Sequence, residues 1–191
     1  MTTHESFGTH KKFLEFYIQQ TSGNIIEFGT GDMSTGLILN CLKGTDRKLV
    51  SVENNKEWYN KMLTQYPESE NHQYIFIDEE KYGWQAVINS MPKFGYSIVF
   101  IDQSPWIARR WTMEHFKDTA EYVMIHDVDY FPKNDVFGKV ISEFEFDFSD
   151  ISNNFKVYYP PLPYCYPTGP PTLVFSNRGK KIYDLNSQGV L

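Results

Sequence analysis

The stretch Asn24-Ile25-Ile26-Glu27-Phe28-Gly29-Thr30-Gly31-Asp32-Met33-Ser34 decides how the rest of this sequence is read. Its first five residues are a short apolar run closed by a glycine, the pattern of a buried strand. Gly29 and Gly31 let the backbone turn tightly and come close to a ligand. Ser34 can cap a helix whose Leu37, Ile38, Cys41 and Leu42 share a face, and Gly44 can end it. A strand, a glycine turn and a helix N-terminus in that order suit a bound ligand. Taken alone, G-x-G is equally a tight turn, because Ser34 stands where G-x-G-x-x-G has its third glycine.

Outward from this corner, strand-like and helix-like segments alternate. Residues 5–20 carry Phe13, Leu14, Tyr17 and Ile18 at helical spacing. Residues 48–53, 73–78, 97–102 and 121–126 read as the second to fifth strands. Between them, Asn54 and Glu57 form a capping box before Trp58, Tyr59, Met62 and Leu63, and Pro67 stops that helix. Residues 83–91 and 107–119 read as helices, and 135–146 as a weaker one. Residues 155–159 and 172–176 are the last strands, with no helix between them. Their connection holds six of the ten prolines. The expected fold is therefore α/β: a seven-stranded, mostly parallel sheet, helices on both faces, and a C-terminal antiparallel hairpin.

With 191 residues the chain is one domain, and 41% hydrophobic and 17% aromatic residues are enough for a real core. The net charge of −6 excludes binding to nucleic acid or anionic lipid by overall charge. No apolar run reaches the roughly 18 residues that span a bilayer, and the polar start has no signal-peptide core. A cytoplasmic protein is expected. Cys41 and Cys165 have no C-x-x-C partner, so neither zinc nor a disulfide framework is indicated.

In an open α/β sheet, ligands bind where strands end at their carboxyl side. The second strand ends in Glu53, whose carboxylate can accept two bonds from a ribose diol. The third ends in Asp78-Glu79, the fourth in Asp102, and the fifth in His126-Asp127 with Asp129 two residues on. One strand-end acid means little. Acids at the second to fifth ends, after a glycine turn, form a constellation.

This constellation resembles the class I S-adenosylmethionine-dependent methyltransferases, with their Rossmann-like fold. It rests on E-x-G-x-G at Glu27 to Gly31, then Glu53, Asp78 and Asp102, and the terminal hairpin. The resemblance implies roles. Gly29, Thr30 and Gly31 pass under the amino-acid part of the cofactor, Glu53 holds the ribose, Asp78 and Asp102 lie by the cofactor, and Glu27 supports the loop. It also implies that residues 1–22 cover the cofactor site and 23–191 form the methyltransferase domain.

F-I-D-Q-S-P at 100–105, an arginine-bearing helix and V-M-I-H-D-V-D at 123–129 are similar to sugar and small-molecule O-methyltransferases. Several of those bind Mg²⁺ or Mn²⁺, which here implies Asp102 and Asp127 as ligands. An Asn or second acid beside the fifth-strand Asp is missing, since its neighbours are His126 and Val128. The short length and residue style resemble glycan-modifying modules of large DNA viruses.

A sugar hydroxyl is a poor nucleophile at neutral pH, so a base or metal must take up its proton. His126 is the expected base, assisted by Asp127 and Asp102, and a buried structural histidine is its plainer reading. Two residues adjacent on a strand point oppositely, so His126 and Asp127 share a site only if the strand has ended. Arg109 and Arg110 suit a phosphate or acidic sugar, or else surface or structural ion pairs. Asp129 and Tyr130 are further acceptor contacts, and Trp106, Trp111 and Tyr130 can stack on a sugar or pack in the core. His4 and His10 precede the first helix and read as solvated.

The expected function is O-methylation of a sugar or glycan, without nucleic acid or membrane partners. The proline-rich loop offers either a homodimer surface or an acceptor wall. An N-methyltransferase or aminopropyl transferase acting on an amine, and a non-catalytic binding subunit, remain as alternatives.

Overall fold

The computed structural model describes residues 8–78, 83–93, 95–128, 151, 153–158 and 170–185. The helix expected over 135–146, most of the proline-rich loop, and His4, Glu79, Asp129, Tyr130 and Cys165 lie outside them.

Seven strands form one sheet: β1 (Asn24–Phe28), β2 (Leu49–Glu53), β3 (His72–Phe76), β4 (Tyr96–Ile101), β5 (Tyr122–His126), β6 (Phe155–Tyr158) and β7 (Thr172–Phe175). Their order is β3-β2-β1-β4-β5-β7-β6. The first five are parallel, while β7 runs antiparallel to both β5 and β6. The helices are α1 (Lys11–Gln19), α2 (Thr35–Leu42), α3 (Lys56–Gln65), α4 (Trp84–Ser90) and α5 (Trp106–Phe116). This is the expected α/β fold with its antiparallel C-terminal strands. Strand order reverses between β1 and β4, so a crevice opens above that pair.

The central strands β4 and β5 are almost wholly apolar because both faces are covered, whereas the edge strands β3 and β6 carry exposed or partly exposed residues such as Gln73 and Lys156. Ile26, Phe28, Val99, Ile101, Val123 and Ile125 face a core completed by Trp84, Ile88, Met113 and Phe116 of α4 and α5. Ile25, Ile98, Phe100, Tyr122 and Met124 face the other core, filled by Phe13, Leu14, Tyr17, Ile18, Ile38 and Leu42 of α1 and α2. Removing one such side chain, as in Ile98→Ala, costs about 2–5 kcal/mol.

Three local expectations change. The third strand stops at Phe76, opposite Glu53 where its partner β2 ends, so Asp78 lies two residues beyond the ladder. The capping box of Asn54 and Glu57 does not form. Asn55 caps α3, its side chain accepting from the Trp58 amide at 2.9 Å, because the Asn54 amide is drawn to Glu53. Helix α1 begins at Lys11, not at residue 5, after a turn that buries His10.

Candidate active site

The loop after β1 is built from below. Glu27 is fully buried beneath it, accepting from Ser34 Oγ at 2.9 Å and Ser51 Oγ at 2.6 Å. Burial pushes its carboxyl up to about 7, against the pull of these hydrogen bonds. Ser34 stands at the N-cap of α2 but makes no capping bond; its hydroxyl is turned instead to donate to the buried Glu27 carboxyl. Behind Ser51, His72 Nε2 lies 2.9 Å from the Ser51 hydroxyl.

Gly29 has φ +84°, and a Cβ there would lie 2.7 Å from the backbone carbonyl of Asp102. Only glycine fits this left-handed, crowded position. At Gly31 a Cβ would meet Ser34 Oγ at 3.4 Å, an ordinary contact, so the protein itself leaves room there.

Glu53 ties two loops together. One oxygen accepts from the Thr30 amide at 3.0 Å and hydroxyl at 2.8 Å. The other accepts from the Asn54 and Asn55 amides at 3.0 and 2.9 Å. Trp58 Nε1 donates to the Thr30 carbonyl at 2.7 Å, and Lys61 pairs with Asp32 at 2.8 Å while lying over the Trp58 ring.

Above the loop is a cavity of about 340 Å³ lined by His10, Gly31, Asp32, Met33, Ser34, Trp58 and Asp102. Glu53 and Asp78 do not line it. Its size suits a small organic ligand.

The far wall comes from β4, β5 and α5. Strand β5 ends at His126, and Asp127 adopts φ +55°, a left-handed conformation that Asp tolerates better than most residues. That turn brings both side chains to one place: His126 Nδ1 lies 3.3 Å from Asp102 Oδ1 and 3.4 Å from Asp127 Oδ1. Arg109 is buried beneath them. Its Nη2 lies 3.0 Å from Asp102 Oδ1 and 3.5 Å from Asp127 Oδ2. Its Nε donates to the Gln103 carbonyl at 2.8 Å, its Nη1 to the His126 carbonyl, and Trp106 stacks on its plane at 4.0 Å. Arg109 is thus a clamp that joins β4 to β5, its donors spent on protein and not on an acceptor. Trp106 and Trp111 are partly buried against the core.

The protonation of this wall follows from its contacts. Burial resists charge on His126, but Asp102 and Asp127 outweigh it and hold the imidazole above its ordinary value. Burial also opposes the charge on Asp102, yet His126 and Arg109 lower its carboxyl to about 2. Burial raises Asp127. His126 is 3% exposed and sits behind the two carboxylates, whose side chains are 27% and 18% exposed for Asp102 and Asp127. The expected base is therefore screened from an acceptor by the residues expected to assist it.

Mg²⁺ or Mn²⁺ between Asp102 and Asp127 does not fit this geometry, because the Arg109 guanidinium already bridges that pair. His10, expected to be solvated, is instead buried and lines the cavity, while nothing in the sequence singles out Met33, Trp58 and Thr9 as site residues. Thr9 accepts or donates a hydrogen bond with His126 Nε2 at 2.9 Å. His10 is buried, with burial and the nearby His126 lowering its imidazole to about 3.

No protein-family model matches the chain, and no curated protein matches it by sequence. Solved structures do match. The O-methyltransferase TomG of Streptomyces achromogenes, involved in tomaymycin synthesis and solved with SAM, aligns with a TM-score of 0.59 at 15% identity, covering 87% of this chain and 79% of that one. An O-methyltransferase from Bacillus cereus in complex with SAH gives 0.56 at 13% identity, covering 88% and 81%. The methyltransferase domain of the bacterial protein CtHen1 gives 0.54 at 8% identity, covering 88% and 99%. The glycine turn, the switch point above it and the antiparallel C-terminal strands thus belong to a chain with the Rossmann-like fold of the class I methyltransferases.

Proposed function

We propose that this protein transfers a methyl group from S-adenosylmethionine to a hydroxyl oxygen, with a sugar of a glycan or glycoconjugate as acceptor. One observation carries the reading: the cavity above the glycine turn ends at Asp102, beside Asp127. The fit of the cofactor is supported by Gly31, where a side chain would project into space the protein leaves open. When bound, S-adenosylmethionine supplies an electrophilic methyl on a sulfonium that needs no activation.

The chain's own residues then handle the acceptor and its proton. Thr30, Gly31 and Trp58 shape the donor end, with Glu53 fixing Thr30 from behind. Glu27 holds the turn in place through Ser34. Asp127, brought beside His126 and Arg109 by its left-handed backbone and with its carboxyl raised by burial, takes the hydroxyl proton as the oxygen attacks. His126 and Arg109 act as positioning residues that hold Asp127 and Asp102 at fixed separation. Arg109 also neutralises the acidic end. That favours a neutral hydroxyl over the polycationic amine an aminopropyl transferase would take.

Calorimetric titration with S-adenosylhomocysteine, with NAD as control, tests the donor half. Binding of the first and not the second is expected, and Glu53→Ala should weaken it by releasing Thr30. Absence of S-adenosylhomocysteine binding refutes the reading. Acceptor screening with free and glycan-linked sugars then tests the other half. There Asp127→Asn should lower turnover by about 100-fold or more while leaving S-adenosylhomocysteine affinity unchanged.

A further inference from the structure

We propose that His10, Asp102 and His126 form a binding site for a borderline divalent transition metal of the Zn²⁺, Co²⁺ or Ni²⁺ class. One ligand atom from each lies within 4.8 Å of the other two. The site shares Asp102 with the Asp102–Asp127 pair but takes its other two ligands from the histidines, and its metal binding stands or falls apart from methyl transfer.

His10 gives the first reason. Both its ring nitrogens are buried, and neither makes a well-formed hydrogen bond among the described residues, although the Met33 backbone lies near enough to interact with the ring. A buried polar atom left unpaired costs on the order of 1–3 kcal/mol, and an ion is one of the few things that explains one. The ring packs edge-on to His126 at 4.5 Å between centroids and lines the cavity.

The orientation of His126 gives the second. Thr9 has one hydroxyl hydrogen, and it goes to the Pro170 carbonyl at 2.8 Å, a group that can only accept. The Thr9 oxygen therefore accepts from His126, so Nε2 carries a hydrogen. Nδ1 is left facing Asp102, with its lone pair available once its proton leaves. A metal-bound imidazole whose other nitrogen donates to a fixed acceptor is the ordinary arrangement around such ions.

The third reason is a distance. His126 Nδ1 and Asp102 Oδ1 are 3.3 Å apart. A charge-assisted hydrogen bond between them would be about 2.7–2.9 Å. Two ligands at about 2.0–2.1 Å from a tetrahedral ion are about 3.3 Å apart. Two imidazoles and one carboxylate select Zn²⁺-like ions over Mg²⁺, which prefers oxygen. Arg109 then bonds a carboxylate that also ligates, a usual outer partner. His10 and Asp102 line the cavity, so an ion held by them is within reach of a ligand there. Binding displaces the Nδ1 proton of His126 to solvent, and no other bond changes.

The test strips the protein with a chelator, then titrates Co²⁺ by visible absorption and Zn²⁺ by calorimetry, with Mg²⁺ as competitor. One Co²⁺ per chain is expected, displaced by Zn²⁺ and indifferent to Mg²⁺, with His10→Ala binding at least about 100-fold more weakly. Nitrogen-correlated NMR of the unmutated protein needs no variant. Of its five histidines, Zn²⁺ should shift the ring nitrogens of His10 and His126. Co²⁺ affinity unchanged in His10→Ala, or ring shifts confined to other histidines, overturns the proposal. S-adenosylhomocysteine affinity is measured on the stripped protein, so failure of metal binding and failure of cofactor binding are read separately.

Discussion

Glu27→Gln isolates the titration of one buried group while keeping its shape. The Glu27 carboxyl is fully buried, and its pKa rises from an ordinary 4.5 to about 7 in the folded chain. Between those values the folded protein keeps a proton that the unfolded chain has already released. Stability from this group is thus fully present below pH 4.5 and is lost as pH rises through about 7. The slope is about 1.4 kcal/mol per pH unit, so the whole change is on the order of 3 kcal/mol. Glutamine stays neutral throughout, and the Ser34 and Ser51 hydroxyls can reorient toward an amide. Urea unfolding followed by tryptophan fluorescence between about pH 5 and pH 8 reads the effect directly. Relative to the parent, Glu27→Gln should gain about 3 kcal/mol across that range, with m unchanged. Parallel pH profiles for the two proteins would refute the argument, because Glu27 would then be ionised in the fold at no cost.

Gly29→Ala should lose S-adenosylhomocysteine binding and at least about 1–2 kcal/mol of stability, since its Cβ meets the Asp102 carbonyl at 2.7 Å in a left-handed backbone. Calorimetry and thermal unfolding check both. Arg109→Ala leaves Asp102 and Asp127 without their buried counter-charge and should cost about 3–5 kcal/mol in denaturant titrations. Trp58→Phe keeps an aromatic ring, though a smaller one, but removes the indole N–H that bonds the Thr30 carbonyl, so stability should fall by at least about 1 kcal/mol and S-adenosylhomocysteine should bind more weakly.

Much of the site was legible because it sits at strand ends, and strands announce themselves by apolar runs. The NIIEF run and β1 coincide residue for residue, and His126 is indeed the last residue of β5. The condition for His126 and Asp127 to share a site, that the strand has ended, is met by a backbone turn no periodicity reveals. What stayed hidden depends on counting partners. Arginines near a helix start read equally as acceptor-binding, surface or structural groups, and only the convergence of Asp102, Gln103 and His126 on Arg109 shows that it is a buried structural one. Glu53 reads as a free acid until four protein donors are found on it. His10 and Thr9 lie far from β5 in sequence and ahead of the periodic apolar residues that begin at Phe13, so nothing linear ties them to His126.

The close approach of Gly29 to Asp102 has a further consequence. The two loops that would carry donor and acceptor touch main chain to main chain, with no side chain between them. Their spacing is therefore set by peptide geometry, which cannot change by rotamer flips. Side chains around the crevice can be exchanged to suit different acceptors while the reach from the turn to the carboxylate stays constant, like a fixed gauge block inside an adjustable jaw.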